Sequence, residues 1–200
     1  MPTIEFFYDI GSPWTYLAFH KIEGVAARTG AELAWKPILV GGVFNAVNQS
    51  VYEQRANATP QRAAYMKKDL GDWAEAYGLE ITWPPAVFPV NSVKAMRGAH
   101  LALDEGCCPA WSRACFEAYW GRNQDVSQDA VLEGIANEVG IDPSTLMERI
   151  STPEIKDRLR TTTQELIDRG GFGSPTIFVN GDDLYFGNDR LGLIEAALAR

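Results

Sequence analysis

The sequence contains few of the residues that redox and metal chemistry require. Its 200 residues include three cysteines and two histidines, and no two cysteines are spaced as Cys-x-x-Cys. The cysteine count is odd and Cys107 and Cys108 are adjacent, which argues against a disulfide framework. Cys108 and Cys115 have no accompanying histidine pattern, which argues against a zinc site. We therefore predict buried apolar positions for the cysteines and no bound metal.

Excess positive charge and long apolar segments are also missing. The formal net charge of −8 argues against a protein that generally binds nucleic acids or anionic membranes. No run of about 18 apolar residues occurs, and the first ten residues lack the basic and apolar regions of a signal peptide. A hydrophobic content of 46% is enough for an ordinary folded core. We expect a globular protein of the cytoplasm with neither a membrane nor a nucleic-acid partner.

A hydroxyl residue, Ser12, stands where a predicted strand ends and a predicted helix begins. Serine is a favoured N-cap, and the following Pro13 suits the first helical position, where its missing N–H costs nothing. A hydroxyl at the positive end of a helix dipole can also hold an anion. Two interpretations of Ser12 stay open from these residues alone, an anion-binding serine and a plain N-cap.

Apolar periodicity predicts a strand–helix–strand unit, a block of helices, and a final helix–strand–strand–helix unit. Thr3–Tyr8 and Ala31–Lys36 read as strands joined by a right-handed crossover, and hence as a parallel pair. Residues 38–60 are rich in glycine and asparagine, so we predict a long loop there. A short link at 180–182 predicts a hairpin between the last two strands. The predicted helices cover 13–29, 61–77, 91–104, 109–120, 127–140, a short segment from 142, 152–169 and 190–199.

This α/β order resembles the thioredoxin fold with an α-helical insertion between its two halves. The resemblance implies a thioredoxin-like domain at residues 1–60 and 153–200, and an inserted helical domain at residues 61–152. It also implies a cis peptide bond before Pro175, which immediately precedes a predicted strand. Where thioredoxin-like proteins carry Cys-x-x-Cys, at the start of the first helix, this chain has Ser-Pro-Trp-Thr. Serine cannot form a disulfide, so the site favours holding an external thiolate over dithiol exchange.

Four segments narrow the resemblance to one family: FYDIGSPWTYLA (7–18), AYMKKDLGDWAEAYGL (64–79), GFGSPTIFVN (171–180) and FGNDRL (186–191). With these segments the sequence resembles the kappa-class glutathione transferases, and most closely their bacterial relatives, the 2-hydroxychromene-2-carboxylate isomerases. The resemblance covers essentially the whole chain. It implies a DsbA-like architecture, glutathione as cofactor, a small aromatic substrate and a homodimer.

The resemblance also implies a set of residues that contact glutathione. Ser12 would orient the thiol, and Ser174 before Pro175 would offer backbone hydrogen bonds to the cysteinyl part. The γ-glutamyl end would lie at Asn188 and Asp189, where Asp189 can accept its ammonium. The remaining tripeptide contacts would come from Asn57 and Arg62.

Substrate contacts are predicted from residue type. Aromatic side chains would form an apolar slot, with plain core packing as the alternative for each. Asparagines would meet a substrate carboxylate or hydroxyl, with turn formation as the alternative, and a lysine would face an anionic substrate or simply solvent. The candidates are Phe7, Trp14, Tyr65, Trp83 and Phe88, then Asn45, Asn48 and Asn91, and finally Lys36.

Three functions remain open at this level. The first is a glutathione-dependent isomerase of aromatic degradation, in which the thiolate adds to a conjugated carbon, rotation follows, and elimination returns glutathione. The second is a kappa-like transferase or peroxidase acting on other electrophiles. The third is a non-catalytic binding module with a thioredoxin fold. The Ser-Pro-Trp and Gly-Asn-Asp-Arg segments argue against this function, because a bare scaffold does not need both.

Overall fold

A four-stranded mixed sheet lies at the centre of the computed structural model, which describes residues 1–200. The strands β1 (Thr3–Tyr8), β2 (Glu32–Pro37), β3 (Thr176–Val179) and β4 (Asp183–Phe186) are arranged in the order β2-β1-β3-β4. β1 pairs with β2 in parallel and with β3 antiparallel, and β3 pairs antiparallel with β4. This topology confirms the predicted thioredoxin-like fold, including the parallel first pair and the final hairpin.

Helices surround the sheet and form the segment between its two halves. A π-helical turn at Glu117–Gly121 and a 3₁₀ turn at Asn188–Arg190 accompany them, and no helix is long and apolar enough to cross a membrane. The helices are α1 (Pro13–Thr29), α2 (Val40–Val47), α3 (Ser50–Ala56), α4 (Pro60–Tyr77), α5 (Val93–Asp104), α6 (Cys108–Phe116), α7 (Asp129–Val139), α8 (Pro143–Arg149), α9 (Pro153–Asp168) and α10 (Leu191–Leu198).

The prediction of a long loop over residues 38–60 is wrong, because α2 and α3 occupy most of it. Glycine and asparagine lower intrinsic helix propensity, but tertiary packing overrides it here. Val43 is fully buried with Leu166 of α9 in one apolar cluster. At Gly42 an added Cβ would stand 3.3 Å from the Thr163 side chain, so the glycine permits close approach to α9. The prediction that Ser127 caps the helix over 127–140 is also wrong, because α7 begins at Asp129 with Gln128 at its N-cap position.

The two faces of β1 build two separate cores. Successive strand residues point to opposite faces, and Phe6 packs with Trp35 and Phe19 on the α1 side. Phe7 is fully buried on the other side, edge-on to Phe178 at 5.6 Å between ring centroids, so Phe7 is a core residue rather than a substrate wall. The larger cluster continues from the sheet into α5–α8. The part predicted as an insertion therefore shares its core with the thioredoxin-like part, and the exact domain boundaries stay a prediction.

The cysteines take the positions expected of small apolar residues. Cys108 and Cys115 are buried, Cys107 is half-buried, and all three are free. Cys108 Sγ lies 3.2 Å from the Tyr8 hydroxyl. Burial raises the pKa of the Cys108 thiol to about 11, so it stays protonated at neutral pH and is not a nucleophile.

A buried histidine should make the fold sensitive to mild acid. His100 is 3% exposed, its Nε2 lies 3.0 Å from the Pro37 carbonyl oxygen, and burial lowers its pKa to about 4. In the unfolded chain the pKa is near 6.5, so the unfolded state binds the proton first as pH falls, and stability is lost between about pH 6.5 and 4. These two pKa values predict that the unfolding free energy of the wild type falls between pH 7 and pH 5. In His100→Gln, which lacks the titrating group, this fall should be smaller by about 2 kcal/mol. Urea unfolding at the two pH values measures this, and equal losses would contradict it.

Candidate active site

Ser12 caps α1 and reaches across to the other end of the chain. Its backbone is extended (φ −107°, ψ 122°), and its Oγ accepts a hydrogen bond from the Thr15 N–H at 3.3 Å. The same hydroxyl donates to the carbonyl oxygen of Ser174 at 2.9 Å. Only 9% of Ser12 is exposed. The predicted cap is confirmed, and the capping hydroxyl is also hydrogen-bonded to a second segment of the chain.

Ser174 and Pro175 form that second segment. The peptide bond between them is cis, as the resemblance implied. The Ser174 Oγ accepts from the Asp9 N–H at 2.9 Å and lies 2.8 Å from the Thr15 hydroxyl. Hydroxyl groups from residues more than 150 positions apart therefore share one hydrogen-bonded cluster around the start of α1.

A buried carboxylate, Asp9, holds the surrounding elements together. Its Oδ1 accepts from the Gly11 N–H at 2.8 Å, and its Oδ2 accepts from the Val40 N–H at 2.8 Å and from the Ser92 hydroxyl at 3.1 Å. Burial raises the pKa of Asp9, and these hydrogen bonds oppose part of that rise. Asp9 thus links the loop before Ser12 to the N-terminal ends of α2 and α5. The sequence analysis missed it, although an acid between an apolar strand and a glycine turn was a usable signal.

A cavity of about 470 Å³ lies beside the N-terminal turn of α1. It contains charges of both signs, because Asp69 and Asp189 lie in the same wall as Arg190. Asn188 is 4% exposed, and its Nδ2 has no hydrogen-bond partner within the protein. A buried donor without a partner lowers the stability of the fold by its desolvation penalty, and a ligand with an acceptor atom at this amide would remove that penalty. Other wall residues are Trp14, Tyr65, Trp73, Phe186 and Gly187.

A second cavity of about 490 Å³ shares Trp14 with the first and is largely apolar. Trp83 and Phe88 meet edge-on at 4.9 Å between ring centroids in its wall. Arg62 and a residue not predicted from sequence, Arg55, supply its charge. The structure therefore brings together three predicted aromatic residues and one predicted cation. The remaining wall is formed by Val51, Gln54, Ala58, Ala63 and Met66.

A third cavity of about 340 Å³ contains Gly11 and two of the predicted asparagines. Asn45 accepts a hydrogen bond from the Tyr52 hydroxyl at 2.9 Å, and Asn91 accepts from the Val93 N–H at 3.1 Å through its side chain. The Asn91 contact, two residues along the chain, is of the kind the turn-forming alternative describes. Asn45 instead lies within α2 and contacts Tyr52 of the next helix. Arg55 belongs to the wall of this cavity as well.

Seven predicted contact residues line none of these three cavities. Ser12, Ser174 and Pro175 lie in the hydrogen-bonded cluster at the start of α1, Phe7 lies in the core, and the other three are Lys36, Asn48 and Asn57. The Lys36 Nζ is 3.0 Å from Glu165 and 3.5 Å from Glu5, because its position in β2 turns it towards α9. Its charge is neutralised there and is not offered to an anionic substrate. Asn48 donates to the Phe172 carbonyl oxygen at 3.0 Å, and Asn57 is an exposed residue at the C-terminus of α3.

Comparisons with known proteins agree over nearly the whole chain. The family model described as a DSBA-like thioredoxin domain matches residues 3–199. A 2-hydroxychromene-2-carboxylate isomerase of Sphingobium xenophagum is 30% identical over 202 residues, covering 98% of this chain and 97% of that protein. Human glutathione S-transferase kappa 1 is 27% identical, with 96% and 88% covered. A solved 2-hydroxychromene-2-carboxylate isomerase structure has a TM-score of 0.84 at 27% identity, covering 99% of this chain and 95% of that chain.

Proposed function

The chain belongs to the DsbA-like thioredoxin-domain family, and with isomerase and kappa-transferase relatives we propose that it is a glutathione-dependent isomerase of aromatic compounds. Its substrates would be 2-hydroxychromene-2-carboxylate and the open-chain trans-o-hydroxybenzylidenepyruvate type that it interconverts. These relatives are enzymes, and so is this protein. A cytoplasmic homodimer acting in aromatic degradation completes the proposal.

The unpartnered Nδ2 of Asn188 is the observation that carries the glutathione assignment. Asn188 lines a cavity whose wall also contains Asp189, Asp69 and Arg190. A γ-glutamyl group ends in an ammonium and a carboxylate, and carboxylate and guanidinium side chains bind such a zwitterion by charge-assisted hydrogen bonds. The residues present therefore fit glutathione, with Asp189 holding the ammonium.

Ser12 and Ser174 would hold the cysteinyl part. In the structure the Ser12 hydroxyl donates to the Ser174 carbonyl oxygen. The Ser12 hydroxyl hydrogen can rotate about the Cβ–Oγ bond, and a bound thiolate, as a charged acceptor, would draw it from the carbonyl towards sulfur. The N-terminal dipole of α1 favours the thiolate over the thiol. Bound glutathione would supply a thiolate for reversible addition to the substrate double bond.

The aromatic cavity would lie beside this sulfur position, because Trp14, two residues after Ser12, belongs to its wall. Trp83 and Phe88 also contribute flat apolar surface to its wall, which suits a planar conjugated substrate. A narrow apolar slot with few polar groups excludes water and orients such a ring.

A kappa-like transferase is the second candidate, supported by the 27% identity to the human kappa enzyme. The same residues would hold glutathione, and the difference lies in the electrophile. An isomerase returns glutathione in every cycle, whereas a transferase consumes it. Thiol titration during turnover of a hydroxychromene carboxylate and of a halogenated nitroaromatic compound separates the two.

Glutathione should stabilise the fold against heat. A ligand present at 100 times its dissociation constant stabilises the native state by about 2.7 kcal/mol, so millimolar glutathione should raise the melting temperature by several degrees. Cysteinylglycine, which lacks the γ-glutamyl group, is the matched control and should produce a much smaller shift. No shift with glutathione together with no glutathione-dependent turnover would refute both enzymatic functions.

A further inference from the structure

Arg55 lies at the junction of the aromatic cavity and the cavity next to it. It occupies the last turn of α3 and belongs to the walls of both. Its guanidinium carbon is 5.4 Å from the ring centroid of Phe44 and 5.8 Å from that of Phe88. Two aromatic rings from different segments therefore flank the cation, which restricts where its N–H groups can point.

No carboxylate neutralises this cation. Arg55 forms no ion pair, whereas Arg28, Arg158 and Arg169 each do. Neither of the two cavities has an aspartate or glutamate in its wall, although acidic residues outnumber basic ones by 26 to 18 in the whole chain. Partial burial lowers the pKa of Arg55, yet a guanidinium stays protonated at neutral pH. The junction thus presents an uncompensated positive charge.

We propose that Arg55 binds the carboxylate of the aromatic substrate and so determines specificity for anionic electrophiles, an inference that rests on the proposed function. A guanidinium holds a planar carboxylate through two parallel hydrogen bonds. With the carboxylate at Arg55, the conjugated ring extends into the cavity between Trp14 and Trp83. Arg62, which lines only the aromatic cavity, is left for glutathione.

The competing explanation is purely structural. Arg55 stacks on Phe44 of α2 and on Phe88, and on this explanation the side chain only holds these segments together. A structural clasp and a carboxylate site make different predictions. Losing a clasp weakens every aromatic ligand alike, whereas losing a carboxylate site weakens anionic ligands alone.

The test uses trans-2-hydroxycinnamate and its primary amide, which differ only in the charged group. Binding to the full-length protein is followed by tryptophan fluorescence, since Trp14 and Trp83 line the cavity. Arg55→Gln should weaken binding of the carboxylate by about thirtyfold, the size expected for a hydrogen-bonded charge, and leave the amide within about twofold. Arg55→Lys should fall between the wild type and the glutamine variant.

Three results would overturn the assignment. They are equal weakening of carboxylate and amide in Arg55→Gln, no preference of the wild type for the carboxylate, and loss of that preference in Arg62→Gln instead. Glutathione is absent from this titration, so it stands apart from the thermal-shift test of the proposed function. If glutathione gave no thermal shift but the wild type still preferred the carboxylate and Arg55→Gln removed that preference, the Arg55 site would stand and the proposed glutathione-dependent function would be refuted.

Discussion

Replacing Ser12 by alanine should lower turnover by about 10²–10³-fold, the effect of removing one preorganised donor from a site of developing charge. The hydroxyl is held in place by the Thr15 N–H and faces the Ser174 carbonyl, so its position is set before a ligand arrives. Glutathione affinity should change little, because the γ-glutamyl contacts remain. The lost cap should lower the unfolding free energy by about 1 kcal/mol.

Thr152→Ala provides a matched control. Thr152 caps α9 as Ser12 caps α1, accepting from the N–H three residues on and preceding a proline. This variant should lose a similar unfolding free energy and keep wild-type turnover. Steady-state kinetics with varied glutathione and substrate measure both variants. If Ser12→Ala matches Thr152→Ala in turnover, then Ser12 is only a cap.

Replacing Asp189 by alanine should weaken glutathione binding by about tenfold, the lower end of the effect of losing a hydrogen bond to a charged group, because solvent screens an exposed ion pair. Asp189 is half-exposed and is bridged to Arg190, so part of its charge is already screened. The substituted site would still offer the Asn188 amide but would lack an anion for the ammonium. Turnover at saturating glutathione should stay near wild type, since the residues around the sulfur are untouched.

Calorimetric titration with glutathione measures this effect directly. Asp189→Asn, which keeps the shape and removes the charge, should resemble the alanine variant. Asp182→Ala, in the exposed turn before β4, removes the same charge at the opposite end of that strand and should bind glutathione normally. An unchanged dissociation constant in Asp189→Ala would place the ammonium elsewhere.

Predictions that depended on neighbours in sequence agree best with the structure. Ser12, Asp142 and Thr152 were expected to begin helices, and each side chain accepts a hydrogen bond from an N–H three residues on. The alternating strands and the short hairpin link were equally local. Such signals act over one helical turn or one strand pair, a range that sequence patterns describe directly.

Predictions that depended on packing agree less well. The glycine-rich segment of α2 is helical because Val43 is buried against Leu166, and Lys36 is turned away from the cavities by its pairing with Glu5 and Glu165. Arg55 gave no signal of its own, because an arginine near the end of a short helix is ordinary until two cavities are seen to meet at it.

The sequence by itself determined the fold class, the cap at Ser12 and, through the family resemblance, the expectation that Ser174 and Asn188 act with it. The tertiary structure decided which charges are free. It neutralises Lys36 and leaves Arg55 without a carboxylate partner, and it buries the Asn188 amide without an acceptor. Whether a polar group is paired depends on side chains brought close by long-range packing, across 162 residues for Ser12 and Ser174. No local pattern contains that information, because burial and pairing are properties of the assembled core rather than of any one segment.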